Sequence, residues 1–142
     1  MLSQILLGLL MTAFTIGFGA TTLVAGAEPL QRYRQRLFEQ TRFVGHVLTL
    51  ILVSTWLVFG MLIVIAVWAL ILSVLGVFGN LETALYFSLI SFTTVGYGEV
   101  VPPVEWRILA GFIAVDGFML FGLNTAFIFE VLRRMRDTSG SE

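Results

Sequence analysis

The sequence predicts an all-α membrane protein in which three transmembrane helices are joined by one short connector and one re-entrant segment. Three observations carry that expectation. The 142 residues are 58% hydrophobic and only 12% charged, far below the roughly 25% charged residues of a soluble domain. Three long stretches carry no charge, or a single one, and each is long enough to cross a hydrocarbon core of about 30 Å. A further apolar stretch between the last two is too short and too interrupted by Gly and Pro to cross.

The same composition excludes several function classes. Net charge is −1 and there is no lysine among the 8 positive residues, so no polybasic surface exists to hold a nucleic acid. With no cysteine and one histidine, His46, disulfides and thiolate metal sites are ruled out. No nucleophile, base and orienting acid fall together, so the chain is not expected to be an enzyme or to carry a cofactor.

Residues 2–26 are uncharged and predict a first spanning helix, with 1–27 as a separate N-terminal unit. Ala25-Gly26-Ala27 imitates a signal-peptide cleavage site. A positive leading region is missing, however, and the apolar run exceeds that of a typical leader. Ala13 and Gly17, four residues apart, are expected to pack this helix on the rest of the protein. From Glu28 the composition turns polar, with Pro29, Arg32, Arg34, Arg36, Glu39 and Arg42. Residues 28–42 therefore read as a basic, interfacial connector, helical but separate.

Residues 43–79 form an uncharged run of 37 positions, about 55 Å as one helix. That overshoots a bilayer and implies tilt or projection. Trp56 and Trp68 suit either the interface or buried packing. Residues 80–103 come next, a helix-compatible stretch over Leu81 to Phe92 opened by a credible cap, Asn80, and then a Gly-rich turn. Irregular backbone at membrane depth survives only where protein buries it or where it lines a water-filled path. A last helix is expected over 106–130, and 131–142 form a polar tail.

Seven arginines lie in only two places, the 28–42 connector and the 133–136 tail, with Arg107 alone elsewhere. Both places should face the cytoplasm. One crossing before the connector and two after it satisfy this, placing the N-terminus outside a cell membrane and the C-terminus inside. The 80–103 segment then enters from the outer face, where Glu82, Glu99 and Glu105 make an acidic mouth for cations.

Within that segment, Thr93-Thr94-Val95-Gly96-Tyr97-Gly98 resembles the signature of the potassium channel family. The resemblance covers about residues 45–130. It implies a pore helix and selectivity filter assembled as a homotetramer in the lipid bilayer, with one filter strand from each chain. Potassium ions would bind at Thr94, Val95, Gly96 and Tyr97, where backbone carbonyls replace the ion's water shell. Gly96 and Gly98 can take the positive φ that turns successive carbonyls one way. By the same resemblance Tyr97 wedges against the pore helix, and Glu99, Ser91 and Phe87 support the filter. Glu99 stands where the family usually has aspartate, and Tyr86 and Phe87 where many members have tryptophan. The Tyr97 hydroxyl is therefore expected to lean on Ser91.

In the last helix, Gly117 falls where the family often has a hinge glycine. Phe118, Phe121, Thr125 and Phe129 share one helical face, expected to line the inner cavity. Asp116 points nearly opposite Phe118, toward the pore helix or the back of the filter, and reads as a pH-sensitive brace; a silent buried acid is the alternative. Asn124 reads as an interhelical hydrogen-bonder. His46 reads as an interfacial filler with a possible pH response. The function this implies is passive potassium conduction, with a non-selective cation channel of the same fold as the alternative. No helix repeats arginine every third residue, so voltage sensing of the usual kind is not expected.

Overall fold

The computed structural model describes residues 1–37 and 42–139, with side chains placed over 1–26 and 44–136. The architecture is helical, and no strand occurs among the described residues. Helix α1 runs Leu2–Leu37, α2 Arg42–Val74, α3 Leu81–Phe92 and α4 Arg107–Ser139, with a 3-10 turn Val104–Trp106 leading into α4. Three segments are long and apolar enough to cross a membrane: Leu2–Gly26, Val44–Val74 and Val104–Arg136.

Two helices outrun the lengths expected of them. The backbone of α1 continues through Pro29 to Leu37, so much of the expected connector prolongs the first helix. Charge marks where the chain leaves lipid, but Arg, Gln and Glu are themselves good helix formers. The connector's arginine side chains, and Glu39, lie outside the described residues. At the other end α4 extends to Ser139; just past the expected end, Glu130 pairs with Arg133 at 3.1 Å and Arg134 at 2.7 Å across one helical turn, a spacing that supports helix there.

Helix α2 stops at Val74, just short of the end near Gly76 to Gly79 that its glycines suggest. Gly76 takes φ +68°. Its N–H donates to the Ser73 carbonyl at 3.0 Å, and that of Val77 to the Leu72 carbonyl at 3.0 Å. A left-handed glycine just past the last turn, with these two bonds, is a common way to satisfy terminal carbonyls. Even so, α2 is about 46 Å long over its 31 apolar residues, and it must tilt or project.

Packing fixes the directions. Gly8 lies under the Phe112 ring and Gly19 under Leu120 and Leu123, so α1 and α4 run parallel. Trp68 meets Asp116, while Val131 packs with Val53 and Leu57, so α2 and α4 run antiparallel. The larger core gathers Trp68, Leu72, Phe92, Leu109 and Ile113 from α2, α3 and α4. The packing stripe of α1 is Gly8, Met11, Thr15 and Gly19, all buried. This corrects the Ala13 and Gly17 expectation, since both are exposed and nothing approaches Gly17 within 4 Å. Large apolar side chains such as Leu6, Leu10, Phe59 and Leu62 remain exposed, as suits helices whose outer faces meet lipid.

Candidate functional site

The site is built on α3 and the loop that leaves it. Asn80, in extended conformation, accepts a 2.7 Å hydrogen bond on Oδ1 from the Thr83 N–H, and Glu82 sits in the first turn. Both features stabilise a helix start, where N–H groups lack partners and the dipole is positive. The opposite end points its carbonyls at the loop. There the Thr93 N–H donates to Leu89, that of Thr94 to Ser91, and that of Gly96 to Ile90, at 3.0 to 3.1 Å. The Thr93 hydroxyl also donates to the Leu89 carbonyl at 2.8 Å. The loop is thereby stitched to the last turn of α3.

Beyond that point the backbone alternates. Thr94, Gly96 and Gly98 take φ of 60°, 52° and 87°, while Val95 and Tyr97 between them do not. Positive φ at the two glycines is the expected conformation. Thr94 is the addition, and it is uncommon for a β-branched residue. Such strain persists only where the surroundings hold it, and at functional sites above all.

The side chains of the loop are strongly exposed in the single chain: Val95 51% and Tyr97 71%. Tyr97 therefore does not wedge against its own chain's α3. No hydrogen bond joins it to Ser91 among the described residues. Glu99 instead takes a hydrogen bond from the Tyr86 hydroxyl, which links α3 to the far end of the loop. That carboxylate acceptor holds the Tyr86 phenol above its ordinary pKa. Phe87 is buried and packs on Phe78 with ring centroids 5.1 Å apart. Phe87 and Ser91 also face an open groove of about 430 Å³, bounded by Thr94, Gly96 and Pro102 of the loop and by Arg107 and Gly111 of α4.

On α4, Gly117 sits against the end of α3. A Cβ there would overlap the Phe92 carbonyl oxygen and lie 2.7 Å from its carbonyl carbon. The structure thus gives glycine a steric reason at this position, close backbone approach, independent of bending. Phe118 is 72% exposed. Phe121, Thr125 and Phe129 are also exposed, so this face of α4 is uncovered in the single chain. Phe121 touches Phe92 with ring centroids 6.4 Å apart, and the Thr125 hydroxyl donates to the Phe121 carbonyl at 2.8 Å.

Asp116 does lie opposite that face, fully buried, but it does not reach α3 or the loop. Its Oδ1 accepts from the Thr12 hydroxyl at 2.6 Å, and its Oδ2 from the Thr15 hydroxyl and the Trp68 Nε1–H, both at 2.9 Å. The expected direction is corrected because α1 and α2 occupy that side. Thr12, Thr15 and Trp68 are the residues that sequence reasoning missed; the available signal was polar Thr12 and Thr15 set between Gly8 and Gly19 at helical spacing in an apolar run. Asn124 is buried, but its side-chain nitrogen finds no partner among the described residues. No cluster of three or more His, Asp or Glu able to hold a metal ion occurs among the described residues.

A family model described as "Ion channel" matches residues 47–134, well over half of the chain. The match takes in most of α2, all of α3 and its loop, and most of α4, and it leaves α1 outside. No curated protein and no solved structure gives a significant match.

Proposed function

The chain belongs to the ion channel family, and from that premise we propose that it is a potassium-selective subunit, four copies of which surround one pore. The observation that carries this reading is the alternation of positive φ at Thr94, Gly96 and Gly98 directly after α3. Successive carbonyls of an ordinary extended strand point to opposite sides. Alternating the sign of φ is what allows those of Thr94, Val95, Gly96 and Tyr97 to face one axis, where they replace the potassium ion's water shell. The Thr94 hydroxyl completes the innermost site.

Each part of the site then has a task. The carbonyl end of α3 aims partial negative charge at the ion's inner approach, Phe87 and the groove beside Ser91 form the wall behind the filter, and Glu99 is tied back by Tyr86. Gly117 lets α4 close on α3, and Phe118, Phe121 and Thr125 line the inner cavity. The fourfold arrangement is supported by the chain's single filter strand, which cannot close a ring of carbonyls alone, and by the faces left bare around Tyr97 and Phe118. Arginine placement supports an outside N-terminus and a cytoplasmic C-terminus.

The test is current through purified protein in a planar bilayer with potassium on one side and sodium on the other. The reading expects a reversal potential displaced toward the potassium equilibrium value. Current reversing near zero would make this a non-selective cation channel instead.

A further inference from the structure

One buried acid has no part in the conduction path. Asp116 is 0% exposed and accepts three hydrogen bonds, two from α1 and one from α2. The Trp68 indole N–H can only donate, so the carboxylate is the acceptor of that bond. The next residue is Gly117, pressed against the Phe92 carbonyl where α3 gives way to the filter loop. Two consecutive residues thus hold α4 to every other helix of the chain.

The rest of the α1 interface is laid out around this point. Toward its N-terminus the Gln4 side chain donates to the Glu105 carbonyl, just before α4. Further along, the Trp56 Nε1–H donates to the Thr22 carbonyl at 3.0 Å. Gly8 and Gly19 admit the α4 side chains on either side of the carboxylate. At Asp116 a polar tie from α1 reaches α4 itself. If α4 bends or rotates near Gly117, the carboxylate leaves three donors at a depth of about 14 Å from the start of α4, where hydrocarbon offers none in exchange.

We propose that Asp116 is a positioning residue for conduction, which clamps α4 to α1 and makes α1 a built-in restraint on the pore. This rests on the channel reading above. Thr12 and Thr15 are the working half of the clamp on α1. Releasing it frees α4 at Gly117 and raises the open probability without altering the filter.

The test uses the full chain in lipid bilayers. A Thr12→Val, Thr15→Val double variant keeps the side-chain shapes and removes both donors, Thr12→Ser, Thr15→Ser keeps the donors, and Asp116→Asn alters the acceptor. The valine pair and Asp116→Asn are expected to shift the closed-to-open ratio by about tenfold, the scale of the one or two buried hydrogen bonds lost, with the potassium-to-sodium permeability ratio unchanged. The serine pair is expected to behave as the unaltered chain. In parallel, the exchange rate of the Trp68 indole proton, followed by NMR on indole-labelled protein, is expected to rise in Asp116→Leu, which removes the acceptor. Faster indole exchange with an unchanged open probability would reduce Asp116 to a structural contact and overturn the proposal. An indole proton indifferent to Asp116→Leu, which leaves no acceptor, would overturn it by removing the contact. Absence of potassium current from the unaltered chain would overturn the channel reading and this proposal with it, whereas current with equal open probability in all variants would overturn the proposal alone.

Discussion

Replacing Gly117 by alanine adds one methyl group where α4 crosses the end of α3. The nearest atoms are not a flexible side chain but the Phe92 backbone, with the carbonyl carbon 2.7 Å from the new Cβ. Retreat of α4 by roughly 0.7 Å is needed to restore an ordinary contact, and more is needed to clear the carbonyl oxygen. Overpacking of this kind costs about 1 to 3 kcal/mol, and the upper end applies because a backbone carbonyl cannot rotate away. The displaced atoms lie one residue before Thr93, so the filter loop moves with them. Gly17→Ala is the internal control: that glycine is helical, exposed and has nothing within 4 Å, so helix propensity alone should make the change neutral or stabilising by up to about 1 kcal/mol. Thermal unfolding in detergent, followed by potassium current in bilayers, reads both variants. The expected result is a destabilised Gly117→Ala with reduced current beside an unimpaired Gly17→Ala. If Gly117→Ala matched the unaltered chain in stability and in current, the close approach described here would be wrong.

Other outcomes follow from single contacts. Tyr86→Phe removes the hydroxyl that holds Glu99 and should speed the decay of current during sustained activity, with little effect on overall stability; a decay identical to that of the unaltered chain would show that the bond does not steady the filter. Asn80→Ala removes the cap of α3 and should cost about 1 kcal/mol, seen as a lower unfolding midpoint, whereas Asn80→Asp or Asn80→Ser should keep most of it.

Much of this architecture is legible in the sequence because lipid imposes blunt constraints. The uncharged runs locate the three spans, the broken run between them locates α3 and its loop, and Asn80, Gly96 and Gly98 show their backbone roles through residue type alone. The helix ends were not legible, because hydropathy reports where a helix leaves lipid and not where its hydrogen bonds stop. Thus α1 runs past Glu28, and α4 runs past the expected end at 130 to Ser139. A helical wheel sets Asp116 opposite Phe118, as observed, but it carries no information about which helix stands on that side. The same gap misplaced the α1 interface: Ala13 and Gly17 satisfy the small-residue spacing as well as Gly8, Thr12, Thr15 and Gly19 do. Only the three-dimensional partner, α4, distinguishes the two faces. Positive φ at Thr94 has no signal in residue type, since threonine disfavours it.

The most direct test of the central claim is the reversal potential of the reconstituted protein under opposed potassium and sodium gradients. Displacement toward the potassium equilibrium value is the predicted result, and a reversal near zero with clear current would contradict selectivity through the Thr94 to Tyr97 carbonyls.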